Sequence, residues 1–344
     1  MNYILRDIKA TSIYQKIIES KEDPIEISGL ARVFKSVLIS AIKTDGNKPI
    51  LLITYNEIQA KNLIKDLSYF IEDVSYLSKR EIALYNVDAE SSEIEFERIN
   101  IINNMSNKKS LIYVTTIEAI MQKIIAKKSL YENIIEIKNE DTIDIAEIKQ
   151  KLISLGYIRK DLTESRGEFS VRGNIIDIGI DKKEGYRIEL WGDEVDSIRK
   201  FRLDSQRSIE MQEKIKILPS TEKILACSVD KVCRKIEEKY SQNGIIDEDI
   251  LKDIEEIKNG NYRTKIDKYF NEFYEEQECI LDYAKNFQIF FDEPEKIEQR
   301  IDSIRNDTKN LIKELIEKER AVPEILKNLC EFELKADLKN VINL

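Results

Sequence analysis

The segment R-G-E-F-S-V-R-G-N-I-I-D-I, residues 166–178, decides the fold of the middle of this chain. Polar and apolar residues alternate from Glu168 to Arg172, and a second short segment follows from Asn174 to Ile178. A period of two residues is typical of strands that have one covered face. Gly173 lies between the two segments and favours a close turn. The sequence therefore predicts antiparallel pairing here.

Short predicted elements of this kind continue in both directions from this segment. Toward the carboxyl end, Tyr186–Trp191 and Glu194–Leu203 also read as strands, and toward the amino end Ile145–Leu155 reads as a helix that closes at Gly156. Four of the ten glycines punctuate the region: Gly167, Gly173, Gly185 and Gly192. We expect a small α+β domain.

The flanking regions have a different pattern. Lys48–Thr54 and residues 110–114 are short, nearly continuous apolar runs, typical of strands that are covered on both faces. They alternate with helix-like stretches after Asn56 and from Glu93 to Met105. Such alternation indicates a parallel sheet with helices on its faces. The final part reads as three helices and one strand: Val229–Lys239, Asp247–Lys258, Glu293–Glu319 and Phe287–Phe291.

Composition narrows the possible functions. The 344 residues suffice for two or three packed units, and the net charge of −10 argues against a protein that grips phosphate backbones by itself. The chain has no histidine, which excludes Ser-His and Cys-His nucleophiles. The four cysteines form no C-x-x-C pair and are expected to be free thiols: Cys227, Cys233, Cys279 and Cys330. We expect no bound metal and no catalytic residues.

The location of the protein is a further expectation from the sequence. No stretch approaches the roughly 20 uninterrupted apolar residues that a membrane-spanning helix needs. The first residues lack the apolar core and the cleavage site of a secretory signal. A cytoplasmic protein with a protein partner is expected.

The segment from Gly29 to Ser36 partly matches a phosphate-binding loop. In the pattern G-x-x-x-x-G-K-[ST], Gly29, Lys35 and Ser36 are correctly spaced, but Phe34 replaces the second glycine. Glycines let backbone N–H groups curl around a phosphate, and a bulky ring there obstructs this. The segment is either a decayed phosphate loop or a plain helix start.

A metal-holding acid would have to accompany such a loop. Asp292 and Glu293 follow the apolar strand at Phe287–Phe291, where nucleotide hydrolases hold Mg²⁺ with an aspartate. The alternative is a strand-to-helix turn, in which Glu293 and Pro294 begin the next helix. With Lys35, the two acids are interpreted as relics of one nucleotide site.

Arginines in the middle region form the second candidate site. Arg166 and Arg172 belong to a polar set that alternates with Phe169 in the decisive segment, and Arg159 precedes them. Exposed arginine beside an aromatic residue is favoured at protein interfaces. The alternative is a solvated strand face with local ion pairs.

The decisive segment also carries a family resemblance. Together with Y-R-I-E-L-W-G-D-E-V-D-S-I-R (186–199) and F-R-L-D-S-Q-R (201–207), it is similar to the signature shared by UvrB and bacterial transcription-repair coupling factors, and closer to the latter. Supporting segments are the decayed loop at 29–36, L-Y-N at 84–86, T-T-I-E-A-I-M-Q-K at 115–123, I-L-P-S at 217–220 and I-F-F-D-E-P at 289–294.

The resemblance implies an α/β fold in which a phosphate-loop-type parallel-sheet domain is split by an inserted α+β domain. We expect the first half of the split domain at residues 1–123, the inserted domain at 124–215 and the second half at 216–344. Coupling factors have a decayed phosphate loop at this place, so no cofactor is expected. UvrB also has a long aromatic-rich hairpin that clamps DNA, and nothing comparable stands between Tyr85 and Glu97.

In that family the inserted domain binds the damage-recognition protein UvrA. By motif position, the resemblance makes Arg159 and Arg172 the principal contacts, with Arg166 and Phe169 as neighbours. Ser170 stands where UvrB has an arginine, which removes one charged contact. Whole coupling factors also bind RNA polymerase and double-stranded DNA through later domains, so this chain resembles an amino-terminal portion that neither remodels polymerase nor moves along DNA.

Two other functions are compatible with the sequence. One is a residual nucleotide-binding or ATPase module that uses Lys35, Ser36 and Asp292. The other is a DNA-clamping subunit like UvrB, against which the acidic charge and the missing hairpin argue.

Overall fold

A computed structural model describes residues 3–20, 22–80, 92–107, 109, 111–225, 227–242, 248–274, 276–317 and 338–344. The L-Y-N segment at 84–86, part of the stretch between Tyr85 and Glu97, and Cys330 lie outside these residues. Among the residues that are described, helices of the length and apolarity that a bilayer crossing requires are not found.

The helices and strands follow one another along three parts of the chain. The first part comprises α1 (Tyr3–Lys9), α2 (Ser12–Glu19), β1 (Ile25–Glu26), α3 (Arg32–Asp45), β2 (Ile50–Thr54), α4 (Glu57–Leu67), β3 (Val74–Leu77), α5 (Ser92–Ser106), β4 (Ile112–Thr116) and α6 (Ile117–Ile120). The middle part comprises β5 (Ile124–Ile125), α7 (Lys127–Glu132), β6 (Ile135–Lys138), α8 (Ile145–Ser154), β7 (Ile158–Arg159), β8 (Glu168–Arg172), β9 (Ile175–Gly179), β10 (Glu184–Trp191), β11 (Glu194–Arg202), β12 (Ser208–Gln212) and β13 (Lys214–Ile217). The last part comprises α9 (Val229–Gln242), α10 (Glu248–Lys258), a 3₁₀ turn (Arg263–Lys265), α11 (Phe270–Phe273), β14 (Gln277–Glu278), α12 (Ile280–Tyr283), β15 (Gln288–Phe291), α13 (Pro294–Glu317) and β16 (Val341–Asn343).

The larger sheet draws its strands from both ends of the chain. It has six parallel strands in the order β1-β16-β15-β2-β4-β3, so β15 and β16 from the last part insert between β1 and β2 from the first. Ile50 lies opposite Gln288 in the pairing of β2 with β15. This topology confirms the predicted split α/β fold with an inserted unit.

The apolar run of β2 explains why this strand is central. All five of its residues are buried, and they alternate between two hydrophobic clusters. Leu52 packs with α3 and α4 on one face, whereas Leu51 and Ile53 pack with α5, α6 and α13 on the other. A strand that is covered on both faces needs no polar alternation, as the sequence indicated.

The second sheet is formed by the middle part of the chain. Its order is β12-β11-β10-β9-β8-β7, antiparallel except for the parallel pair β7 and β8. One face packs against α8 through Ile148 and Leu152. The predicted period-two strands are therefore confirmed, and β12 is an additional strand that the sequence analysis did not identify.

Gly156 is required where α8 ends. Its φ is +98°, and a Cβ atom there would lie 2.4 Å from the Oγ atom of Ser220. Both conditions exclude other residues, because L side chains rarely adopt this backbone conformation. The predicted helix end at Gly156 is confirmed.

Candidate functional site

The outer face of the second sheet, opposite α8, carries an arginine-rich row. Strand pairing places Ser170 opposite Asp177, Asp177 opposite Arg187 and Arg187 opposite Arg199. The adjacent row is formed in the same way: Arg172 lies opposite Ile175, Ile175 opposite Glu189, and Glu189 opposite Ser197. Paired residues project from the same side of a sheet. We call Ser170, Arg172, Asp177, Arg187, Glu189 and Arg199 the arginine face.

Asp177 organises the arginine face. Its side chain is 1% exposed, and Arg187 binds it in a bidentate manner, from Nε to Oδ1 at 2.7 Å and from Nη2 to Oδ2 at 2.9 Å. Arg172 donates to the same Oδ2 at 2.6 Å. The hydrogen bonds with Asp177 raise the pKa of the Arg187 guanidinium above its ordinary value. One buried carboxylate therefore holds two arginines.

The arginine face has an excess of positive charge. Arg199 pairs with Glu189, so three arginines meet two carboxylates and one positive charge is left over. Because Arg187 already satisfies both oxygens of Asp177, Arg172 is the arginine in excess, and its side chain is 47% exposed. In a chain with a net charge of −10, this face favours an acidic partner surface.

Arg159 lies at the edge of the same sheet. It is exposed on β7, opposite Phe169 in the register with β8. Arg159 therefore projects from the Phe169 side of the sheet, opposite to Arg172, but its edge position and its exposure leave it accessible to a partner.

Phe169 does not lie at the surface. Its side chain is fully buried in the cluster with Ile176 and Ile188, on the α8 side of the sheet. The expectation that Phe169 contacts a partner is wrong, because successive residues of a strand point to opposite faces and Arg172 points to the other one. Ser170 is also buried, and its hydroxyl oxygen accepts a hydrogen bond from the Thr163 hydroxyl at 3.1 Å.

Arg166 makes contacts within the chain. Its Nη2 atom lies 2.7 Å from the carbonyl oxygen of Glu93 and 3.4 Å from Oε1 of Glu97, both on α5. Lys182 pairs with the same two glutamates at 2.8 and 3.0 Å. Between them Phe96 is buried in the hydrophobic cluster of the second sheet. These contacts fix the second sheet against α5 of the split domain.

The two predicted relics of a nucleotide site meet in the structure. The Nζ atom of Lys35 lies 2.8 Å from Oδ1 of Asp292, 2.8 Å from Oε1 of Glu293 and 3.3 Å from the carbonyl oxygen of Leu344. Glu293 adopts a left-handed φ of +60°, which is uncommon for a residue other than glycine and aims its carboxylate at Lys35. Lys35, Asp292 and Glu293 therefore lie together, and their interpretation as relics of a nucleotide site stays a prediction.

This site is filled by the chain's own side chains. Asp292 is fully buried and accepts from Lys35 and, at 2.9 Å each, from Thr54 and Gln59. Ser36 is fully buried on α3. A carboxylate with three internal donors is poorly suited to hold Mg²⁺.

The loop before α3 also lacks the form of a phosphate cradle. Gly29 has a φ of +78°, but α3 begins at Arg32, and the backbone N–H of Lys35 already donates to the carbonyl oxygen of Ala31 at 3.2 Å. Phe34 is 59% exposed at the helix start. The N–H group that would turn to a phosphate is committed to the helix.

Comparison with known proteins gives independent evidence on the family to which this chain is similar. Residues 135–222 match the family described as the UvrB interaction domain. The chain is 30% identical over 343 residues to the transcription-repair-coupling factor of Bacillus subtilis (strain 168), covering 94% of this chain and 29% of that protein.

Other relatives carry the same name. The transcription-repair-coupling factors of Staphylococcus aureus (strain bovine RF122 / ET3-1) and Staphylococcus haemolyticus (strain JCSC1435) are 26% and 25% identical, each over 85% of this chain and 26% of the relative. The chain thus spans less than a third of the length of these relatives. The resemblance drawn from the sequence is confirmed: the chain is similar to a portion of the transcription-repair-coupling factors, and its residues 135–222 match the UvrB interaction domain.

Proposed function

We propose that this chain is a docking module that binds UvrA through the arginine face and Arg159, and has no catalysis of its own. It would thereby recruit nucleotide excision repair to a stalled RNA polymerase. The observation that carries the proposal is the surplus guanidinium of Arg172, exposed on a rigid sheet inside the segment that matches the UvrB interaction domain. RNA polymerase and double-stranded DNA would be partners of other parts of a longer protein.

The physical basis is charge pairing with carboxylates on UvrA. Arginine presents a planar fork of donors that matches a carboxylate, and the pair strengthens when an interface excludes water. Asp177 orients Arg172 before any partner arrives, so little side-chain freedom is lost on binding. Under this proposal residues 124–215, which include the arginine face, form the UvrA-binding domain, flanked by the two halves of the split domain at 1–123 and 216–344.

Substitution of Arg172 and of Arg159 by alanine should weaken UvrA binding. Loss of one partner of a desolvated charge pair typically costs about 2–5 kcal/mol, so the Kd for Arg172→Ala should rise about 30-fold or more. Calorimetric titration of each variant with UvrA from the same organism measures this change.

The matched control is Arg202→Ala. Arg202 lies on the same sheet, on β11 opposite Glu184 and away from the Arg172 end, and its side chain is 43% exposed against 47% for Arg172. It pairs locally with Asp204 and should leave the affinity unchanged. Wild-type affinity in both Arg159→Ala and Arg172→Ala would show that the site is misplaced. Absence of binding by the folded wild-type chain would reject the docking function.

The nucleotide-binding alternative is tested by titration of the chain with Mg·ATP. Because Lys35 is neutralised by Asp292 and Glu293, and because a phenylalanine replaces the loop glycine, we expect no saturable heat when Mg·ATP is titrated into the chain. Saturable binding with one site per chain would revive the nucleotide-binding function. A gel shift with double-stranded DNA at low and physiological salt tests the DNA-clamping function in the same way.

A further inference from the structure

Trp191 is the most exposed large apolar side chain of the described residues. It is 83% exposed, although a tryptophan side chain buries ~150–250 Å² of surface when it is covered. It is also the only tryptophan in the chain. Isolated exposed aliphatic residues are common, but an exposed tryptophan on a structured element is characteristic of interfaces.

The position of Trp191 connects it to the arginine face. It follows Glu189 by two residues on β10 and therefore projects from the same side of the sheet. Glu189 is opposite Ile175, which is opposite Arg172. With strands about 4.8 Å apart, Trp191 and Arg172 are separated by roughly 12 Å, within one interface patch.

The backbone around Trp191 is held firmly. Trp191 pairs with Glu194 across a two-residue turn that begins at Gly192, whose φ of +65° suits such a turn. The carbonyl oxygen of Asp193 accepts from the backbone N–H of Ile143 at 2.7 Å. An aromatic side chain on a fixed backbone loses little conformational freedom when it binds, which favours its use as an anchor.

We propose that Trp191 is the apolar anchor of the UvrA contact, which it makes by entering an apolar pocket that adjoins a carboxylate on UvrA. This inference rests on the proposed docking function and specifies the chemistry of the partner surface. The surplus positive charge at Arg172 selects an acidic surface, and Trp191 at the same end of the sheet selects an apolar cavity beside it. Arginine with tryptophan is the combination that dominates interface hot spots.

The single tryptophan makes the test direct. The chain is labelled with 5-fluorotryptophan, which gives one ¹⁹F resonance, and unlabelled UvrA is added. The resonance should shift or broaden on binding, and Trp191→Ala should raise the Kd at least about 30-fold in calorimetry. Tyr69→Ala, which removes another exposed aromatic at 71% exposure outside the second sheet, should bind as the wild type does.

The outcomes separate this inference from the docking function. UvrA binding with an unchanged resonance and a wild-type Kd for Trp191→Ala would overturn the anchor and leave docking intact. Complete absence of UvrA binding would overturn both. A resonance that changes with chain concentration before UvrA is added would show that a second copy of the chain covers Trp191, and would also overturn the anchor.

Discussion

Replacement of Asp177 by asparagine is expected to lower the free energy of unfolding by about 3–5 kcal/mol. The substitution preserves shape but removes the charge that holds Arg187 and Arg172. The Arg187 side chain is only 15% exposed, so its guanidinium would be left largely buried without a counter-charge. Urea denaturation at neutral pH, analysed with a common m value, measures the loss.

Asp196→Asn is the matched control for this substitution. Asp196 lies on β11 of the same sheet and is exposed, so neutralising it should change the free energy of unfolding by less than about 0.5 kcal/mol. An equal loss in both variants would show that the net charge of the domain matters rather than the contacts of Asp177. A stable Asp177→Asn variant that binds UvrA normally would remove Asp177 as the organiser of the arginine face.

The sequence predicted strands of the larger sheet from continuous apolar runs and strands of the second sheet from alternation of polar and apolar residues. The run at Lys48–Thr54 required a strand that is covered on both faces, and β2 is that strand. Two strands were missed: β16 has only three residues, and β12, at the edge of its sheet, is almost entirely exposed. Neither length nor periodicity distinguishes such segments from loops.

The candidate site was predicted in part. Arg172 could be identified from its motif, whereas Asp177 was hidden in the apolar run I-I-D-I. Its importance depends on register, since it lies opposite Arg187, ten residues away in sequence. Registers between strands are set by turns and bulges, such as the shift between Glu189 and Leu190, and the sequence alone did not fix them.

The contact of Lys35 with Asp292 shows a second reason why the sequence alone could not predict the site, namely the distance between its residues along the chain. The two residues are 257 positions apart, and composition or periodicity carries no signal that joins them. The family resemblance predicted their meeting because it implied that one domain is split. The structure adds that Glu293 and the carbonyl oxygen of Leu344 complete the surroundings of Lys35, so oxygen atoms of the chain itself surround the Lys35 ammonium group.

Lys35→Met should therefore destabilise the split domain by about 3–5 kcal/mol. Lys35 is 5% exposed and joins α3 to the β15–α13 junction, and its loss leaves the fully buried Asp292 without a cation. The contact with Glu293 contributes little of this, because Glu293 is 41% exposed and screened by solvent. Lys61→Met, an identical change at an exposed position on α4, should cost less than about 0.5 kcal/mol in the same urea titration.

The effect of Lys35→Met should also depend on pH. Hydrogen bonding from Lys35 lowers the pKa of Glu293 below its ordinary 4.5. Burial lowers the pKa of Lys35, but the bonds to Asp292 and Glu293 outweigh it and raise the pKa above 10.5. A carboxyl group whose pKa is lower in the folded state stabilises the fold at pH above its unfolded pKa, and this contribution is lost as the pH falls through the folded pKa. A lysine whose pKa is higher in the folded state stabilises the fold at pH below its unfolded pKa, and this contribution is lost as the pH rises through the folded pKa. The difference in free energy of unfolding between wild type and Lys35→Met should thus be largest between pH about 4.5 and about 10.5, and should narrow in stronger acid. A difference that stays constant down to about pH 3 would show that the ion pair between Lys35 and Glu293 does not contribute to the effect of Lys35→Met.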